Sequence, residues 1–181
     1  MADEYLYVNG RDVTYQEWSR YGTTPYLDAV EGSNIISTAT NNKKEGCFTF
    51  ADTVNTPTAC TIDLYAKGAY DEDLGYGAVK IYLYDGSTWT YIATVTLTQS
   101  TYKWYSVNCF TILGTQAKVN AAQMYLVSTV AGVQDVFVDC ARLKVTYGVA
   151  APKMVGDGLT WVVAYLRLPK FLLGKKGVKT S

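Results

Sequence analysis

The chain has 181 residues, enough for one domain with a real core plus an appendage, and its composition favours strands: Tyr and Thr abound, and charged residues are only 18%. The formal net charge is zero and no histidine is present, which removes the commonest general base and transition-metal ligand and argues against Ser/His or Cys/His hydrolase chemistry. The balance hides a split. Residues 1–147 hold ten basic against fifteen acidic side chains, and residues 148–181 hold six against one.

In chain order, Tyr5–Val8 reads as a short strand with Asn9-Gly10 as its turn, followed by an irregular covering segment over Asp12–Tyr26 that carries Trp18. Asn34–Thr40 is expected as a strand ending in the polar turn Asn41–Gly46, after which Phe48 and Phe50 share a face. Thr61–Ala66 alternates Ile62, Leu64 and Ala66 with Thr61, Asp63 and Tyr65, a two-faced strand. Lys67–Gly77, with Asp71, Glu72 and Asp73 among glycines, is expected as a long solvated loop. Those three acids lack the spaced oxygens of a calcium loop, and adjacent carboxylates are poorly placed to act from opposite sides of a glycosidic bond.

Val79–Leu97 is the most legible stretch. Val79, Ile81 and Leu83 alternate with Lys80, Tyr82 and Tyr84, and Asp85-Gly86 turns the chain. Alternation resumes with Tyr91, Ala93, Val95 and Leu97 on one face. This is a hairpin whose inward Val79, Ile81, Leu83, Val95 and Leu97 supply core. Its outward tyrosines and the tip around Trp89 make Tyr82, Tyr84, Trp89 and Tyr91 the candidate binding surface, because flat rings offer large contact area at low entropic cost.

Tyr102–Val107 is a further strand, with Trp104 expected in the core. Phe110–Leu113 suits one helical turn, and Ala121–Thr129 and Val136–Tyr147 are the last clear strands. Cys47, Cys60, Cys109 and Cys140 form no CxxC pair, so zinc and redox motifs fail on spacing; buried thiols or two disulfides both remain open. Strict alternation puts Asp139 inward with Phe137, Ala141, Leu143 and Val145. A buried carboxylate needs a partner, so Asp139 is a ligand of a structural calcium ion, is turned outward by a bulge, caps a turn, or pairs with Arg142.

Eight or nine short strands of this kind specify an all-β chain: a single antiparallel sandwich over residues 1–147 with a C-terminal arm over 148–181. The series DGSTW, WYSVN, ILGT, KVNAAQMYLV and VFVDCARLKVTY resembles the jelly-roll modules of the carbohydrate-binding type, which also occur in surface and virion proteins of phages and archaeal viruses. The resemblance covers roughly Tyr26–Tyr147 and implies a jelly-roll scaffold, a glycan-binding or assembly role, and calcium as the one candidate cofactor.

In the arm, Leu159, Trp161, Val163 and Tyr165 alternate with residues that are themselves largely apolar, Leu166 among them, and Phe171, Lys175 and Lys176 follow. The apolar run is broken by Arg167, Pro169 and Lys170, so it is not a membrane span. MADEYLYVNG is not a secretory signal, so the expectation is a virion protein assembled in a host cytoplasm, or a chain that has lost a leader, with the cell surface as the alternative. Such an apolar segment suits strand addition to its own sheet or to a neighbour's sheet edge, insertion into a groove, or lying on a membrane surface with its lysines at the headgroups, and a basic arm complements the acidic body of another copy. The leading expectation is therefore a non-enzymatic structural protein of a virus particle (capsid, decoration or tail-associated). Its partners are its own copies and other virion proteins, and contact with nucleic acid is confined to the basic tail. The alternative is a carbohydrate-binding module or cell-surface adhesion domain that meets surface glycans.

Overall fold

The computed structural model describes residues 1–20, 27, 30 and 36–148. The arm expected over 148–181, with Leu159, Trp161, Val163, Tyr165, Leu166, Phe171, Lys175 and Lys176, lies outside the described residues except for Gly148.

The strands, in chain order, are β1 (Ala2–Gln16), β2 (Ser19–Arg20), β3 (Ile36–Thr38), β4 (Lys44–Phe50), β5 (Pro57–Asp71), β6 (Gly75–Tyr76), β7 (Ala78–Tyr84), β8 (Trp89–Thr96) and β9 (Lys103–Asn108). Two single-turn helices, α1 (Phe110–Leu113) and α2 (Gln116–Asn120), lead into β10 (Gln123–Thr129) and β11 (Asp135–Tyr147). All strand pairings are antiparallel. With the short β2, β3 and β6 set aside, one sheet runs β9-β5-β11-β1. The other runs β1-β4-β10-β7-β8. Counting only the eight long strands, these orders are 6-3-8-1 and 2-7-4-5, with β1 added at the edge of the second. That is the strand order of a jelly roll.

β1 serves both sheets. Ala2–Tyr7 pairs with β11, and from Val8 onward the strand pairs with β4, with a register shift between Val8 and Gly10. The Asn9-Gly10 turn expected from sequence is this irregularity: the chain does not reverse there but crosses from one sheet to the other, and the strand continues to Gln16. The Lys67–Gly77 loop is likewise shorter than expected. β5 runs through to Asp71 and pairs with β6 across a tight turn. Asp71 closes that turn, accepting from the backbone N–H groups of Asp73 and Leu74 and, from across the fold, of Val133. These bonds, Val133 first, hold its carboxyl below the usual range.

The core lies between the sheets. Phe48, Ile62, Leu64, Ile81, Leu83, Met124, Leu126 and Leu143 are fully buried there, each on the face its alternation implies. Val79, Val95 and Leu97 join them as expected. Trp18, in the segment expected as an irregular cover, is 3% exposed. Its backbone N–H donates to Glu45 Oε2 at 3.1 Å and its indole to the Lys43 carbonyl at 2.9 Å, so it is a core residue. All four cysteines are buried. Burial pushes Cys60 up to about 11, and Cys109 is raised for the same reason.

Candidate functional site

The site grows from the register of the second sheet. Tyr15 on β1 faces Gly46 on β4, Gly46 faces Tyr125 on β10, Tyr125 faces Tyr82 on β7, and Tyr82 faces Tyr91 on β8. One row across five strands is thus four tyrosines and a glycine. Cross-strand neighbours on one face stand close enough for rings to touch, and these do. Tyr82 and Tyr125 stack at 4.6 Å between centroids with a 7° interplanar angle, and Tyr91 tilts against Tyr82 at 5.5 Å. Tyr15 reaches Tyr125 at 5.1 Å over the missing side chain of Gly46.

The neighbouring row adds Tyr84, which faces Trp89 across the hairpin and Gln123 on its other side. The Tyr84 and Trp89 rings lie 5.3 Å apart, and Trp89 meets Tyr125 edge-on at 4.7 Å. Tyr91 is 50% exposed, and its hydroxyl shares a 2.9 Å hydrogen bond with Thr94. Burial, with Tyr82 and Tyr15 nearby, raises the Tyr125 phenol above its ordinary value.

Two bulges make this row. Ile81 faces Ala93 while Tyr82 faces Tyr91, leaving Ile92 as an extra residue on β8. Sequence alternation places Tyr91 on the core face with Ala93 and Val95; the bulge corrects that and brings Tyr91 beside Tyr82. On β4, Met124 faces Phe48 while Tyr125 faces Gly46, so Cys47 is the extra residue. Gly46 has φ +124°, and a Cβ there would sit 2.7 Å from the Met124 carbonyl oxygen and 2.9 Å from the Phe48 ring. Only glycine fits this position. At the hairpin tip, Asp85 accepts from Ser87 and Thr88 and pairs with Lys118 at 2.7 Å, which fixes the approach to Trp89.

All four candidate residues, Tyr82, Tyr84, Trp89 and Tyr91, therefore gather on one outer face, joined by Tyr15 and Tyr125. The sequence carried a signal for Tyr125, which alternates with Met124 and Leu126. Tyr15 was hidden because its segment did not read as a strand.

The outer face of the first sheet is also aromatic, but it is closed on itself. Trp104, expected in the core, is half-buried there beside Tyr65, at 5.1 Å. Ser106, Asp63, Arg142 and Tyr7 stand in register across β9, β5, β11 and β1. Ser106 donates to Asp63 at 2.7 Å, and Arg142 donates to Asp63 at 3.1 Å and to the Tyr7 hydroxyl at 3.3 Å. The Arg142 guanidinium is sandwiched 4.0 Å from the centroids of both Trp104 and Tyr5. Its stacking occupies ring faces that a ligand would need.

Asp139 is 2% exposed and sits where β11 slips register against β5, between Val138 and Cys140. This bulge breaks the alternation that grouped Asp139 with Ala141, Leu143 and Val145: those three enter the core, whereas Asp139 raises the pKa of Tyr102, second to that phenol's own burial. Arg142 pairs with Asp63. Among the described residues no group of three or more acidic or cysteine side chains is placed to hold a metal ion, around Asp139 or at Asp71, Glu72 and Asp73. No helix among them is long and apolar enough to cross a membrane.

The chain is thus an all-β jelly roll bearing an aromatic comb on one outer face. No protein-family model and no curated protein matches it. Among solved structures it is similar to a single-residue variant of a family 29 carbohydrate-binding module, at 12% identity over 79% of this chain and 92% of the other, with a TM-score of 0.45. It is also similar to a family 36 carbohydrate-binding domain of a multidomain xylanase from the hindgut metagenome of Trinervitermes trinervoides (16% identity, 81% and 98% covered, TM-score 0.44). A family 29 module from Piromyces equi gives 11% identity, 81% and 93% coverage and a TM-score of 0.41. The jelly-roll strand order stands independently of these likenesses.

Proposed function

We propose that this protein is a non-catalytic carbohydrate-binding module and that the outer face of its second sheet binds the glycan. The observation that carries the reading is the register-aligned row Tyr15–Gly46–Tyr125–Tyr82–Tyr91 with Tyr84 and Trp89 beside it. Phenol and indole rings give apolar area for the C–H faces of pyranoses, and their hydroxyl and N–H groups hydrogen-bond sugar hydroxyls. The comb is held by backbone register, so little order is lost on binding. Cell-surface or extracellular glycans are the natural ligands of such a face.

A glycan array with the full chain, followed by calorimetry on hits, tests this. Trp89→Ala and Tyr82→Ala each remove an aromatic contact of roughly 1–2 kcal/mol, so affinity should fall about tenfold. No hit, or hits unaffected by both substitutions, overturns the reading. Assembly of a virus particle is the second reading, supported by the charge split and the apolar, basic sequence after residue 147. It requires self-association, so a strictly monomeric full chain in light scattering removes it.

A further inference from the structure

The row next to the tyrosines is cationic. Lys44 on β4, Val127 on β10, Lys80 on β7 and Thr94 on β8 face one another in register. Two residues along a strand is roughly 6.6 Å, and two strand spacings are roughly 10 Å, so the lysines form a rail parallel to the comb. Lys44 Nζ lies 5.0 Å from the Tyr15 ring centroid and 6.0 Å from that of Tyr125, which ties the rail to the comb directly.

Neither lysine makes an ion pair with a carboxylate among the described residues. The acids nearby are committed elsewhere. Glu45 is fully buried and accepts from the Trp18 N–H, and Glu17 bridges to Lys43 Nζ at 3.5 Å and accepts from the Lys44 backbone N–H. Asp85, at the hairpin tip, is held by Lys118. This lysine-edged face, whose two lysines form no ion pair among the described residues, sits on a body, residues 1–147, with five more acidic than basic side chains. Local charge opposite to that of the whole selects a ligand by its own charge rather than by net attraction.

Resting on the carbohydrate reading, the geometry points to a linear anionic polysaccharide as the ligand class. The polymer lies across the strands with its ring faces on Tyr15, Tyr125, Tyr82 and Tyr91 and its anionic groups over Lys44 and Lys80. The comb spans four strand intervals, roughly 19 Å, room for several linked sugars. Carboxylate (uronic acid) and sulfate ester groups share the chemistry that Lys recognises.

The test is binding of the full chain, by calorimetry at low and moderate salt, to polygalacturonate, to its methyl-esterified form and to dextran sulfate. Lys44→Gln and Lys80→Gln are compared with Lys67→Gln, which changes net charge equally but lies on the other sheet, over Tyr102 and Phe137. The expected result is binding to at least one anionic polymer that weakens severalfold with salt, with each of Lys44→Gln and Lys80→Gln and on esterification, while Lys67→Gln binds as wild type. Preference for polygalacturonate or for dextran sulfate identifies the anionic group. If neutral glycans bind and the rail substitutions change nothing, the anionic assignment falls and the carbohydrate reading stands. If Lys67→Gln weakens binding as much as the rail substitutions, attraction is nonspecific and the assignment also falls. If no glycan of either kind binds, both fall.

Discussion

Gly46→Ala tests whether backbone closeness at the centre of the tyrosine row is a requirement or an accident. Two costs are separable. An L-residue at φ +124° pays strain of roughly 1–3 kcal/mol. The added methyl would also lie 2.7 Å from the Met124 carbonyl oxygen, 2.9 Å from the Phe48 ring and 3.0 Å from Tyr125 Cα. Two of these are backbone atoms fixed in the β4–β10 pairing, so relief requires strand movement, at about 1–3 kcal/mol. The total is roughly 4 kcal/mol, a fall in Tm of about 10 °C for a unit of this size. Gly75→Ala is the internal control: φ is +76°, but nothing lies within 4 Å of the added atom, so only strain of about 1–2 kcal/mol remains. Urea unfolding followed by tyrosine and tryptophan fluorescence measures both. Equal losses for the two variants would refute the claim that close approach, beyond backbone angle, reserves position 46 for glycine.

Two other perturbations address the first sheet. Asp63→Ala strands the Arg142 guanidinium, largely buried between Trp104 and Tyr5, and should cost about 2–3 kcal/mol; adding Arg142→Met should recover part of it, and strict additivity in the cycle would show no coupling. Burial raises Tyr102, with Asp139 and Tyr65 adding, from 10.0 to about 12, so the folded state holds that proton longer than the unfolded chain does. Stability from this source is complete below pH 10 and is lost as pH rises from 10 to 12, and Tyr102→Phe should flatten that alkaline slope. Because its hydroxyl makes no hydrogen bond among the described residues, the substitution should cost little at pH 7; a loss above about 1 kcal/mol would contradict this.

The two-sheet fold was legible wherever alternation was uninterrupted. Val79–Leu83, Ile62–Ala66 and Leu143–Val145 bury the residues that a period of two implies. It failed where one extra residue shifts parity. Ile92, Cys47 and the step at Asp139 each reverse which side chains face the core, and a bulge leaves no distinct mark in composition. Trp104 misled for another reason: its size suggested burial between the sheets, but Arg142 covers it from outside. The aromatic cluster was half visible, since Tyr82, Tyr84 and Trp89 are close in sequence, whereas Tyr15 and Tyr125 join them only through long-range register.

β1 binds the two sheets together by pairing with both, and its partner in the first sheet is β11, with Ala2 opposite Tyr147. In synthesis β1 must wait for β11. At ordinary elongation rates that interval is on the order of 10 s, during which both edges of β1 lack their partners or hold only β4. Contacts so distant along the chain also place the domain among slow folders, in the millisecond-to-second range. The bond that closes the sandwich is thus also the one that sets how long the nascent chain stays open to wrong pairing.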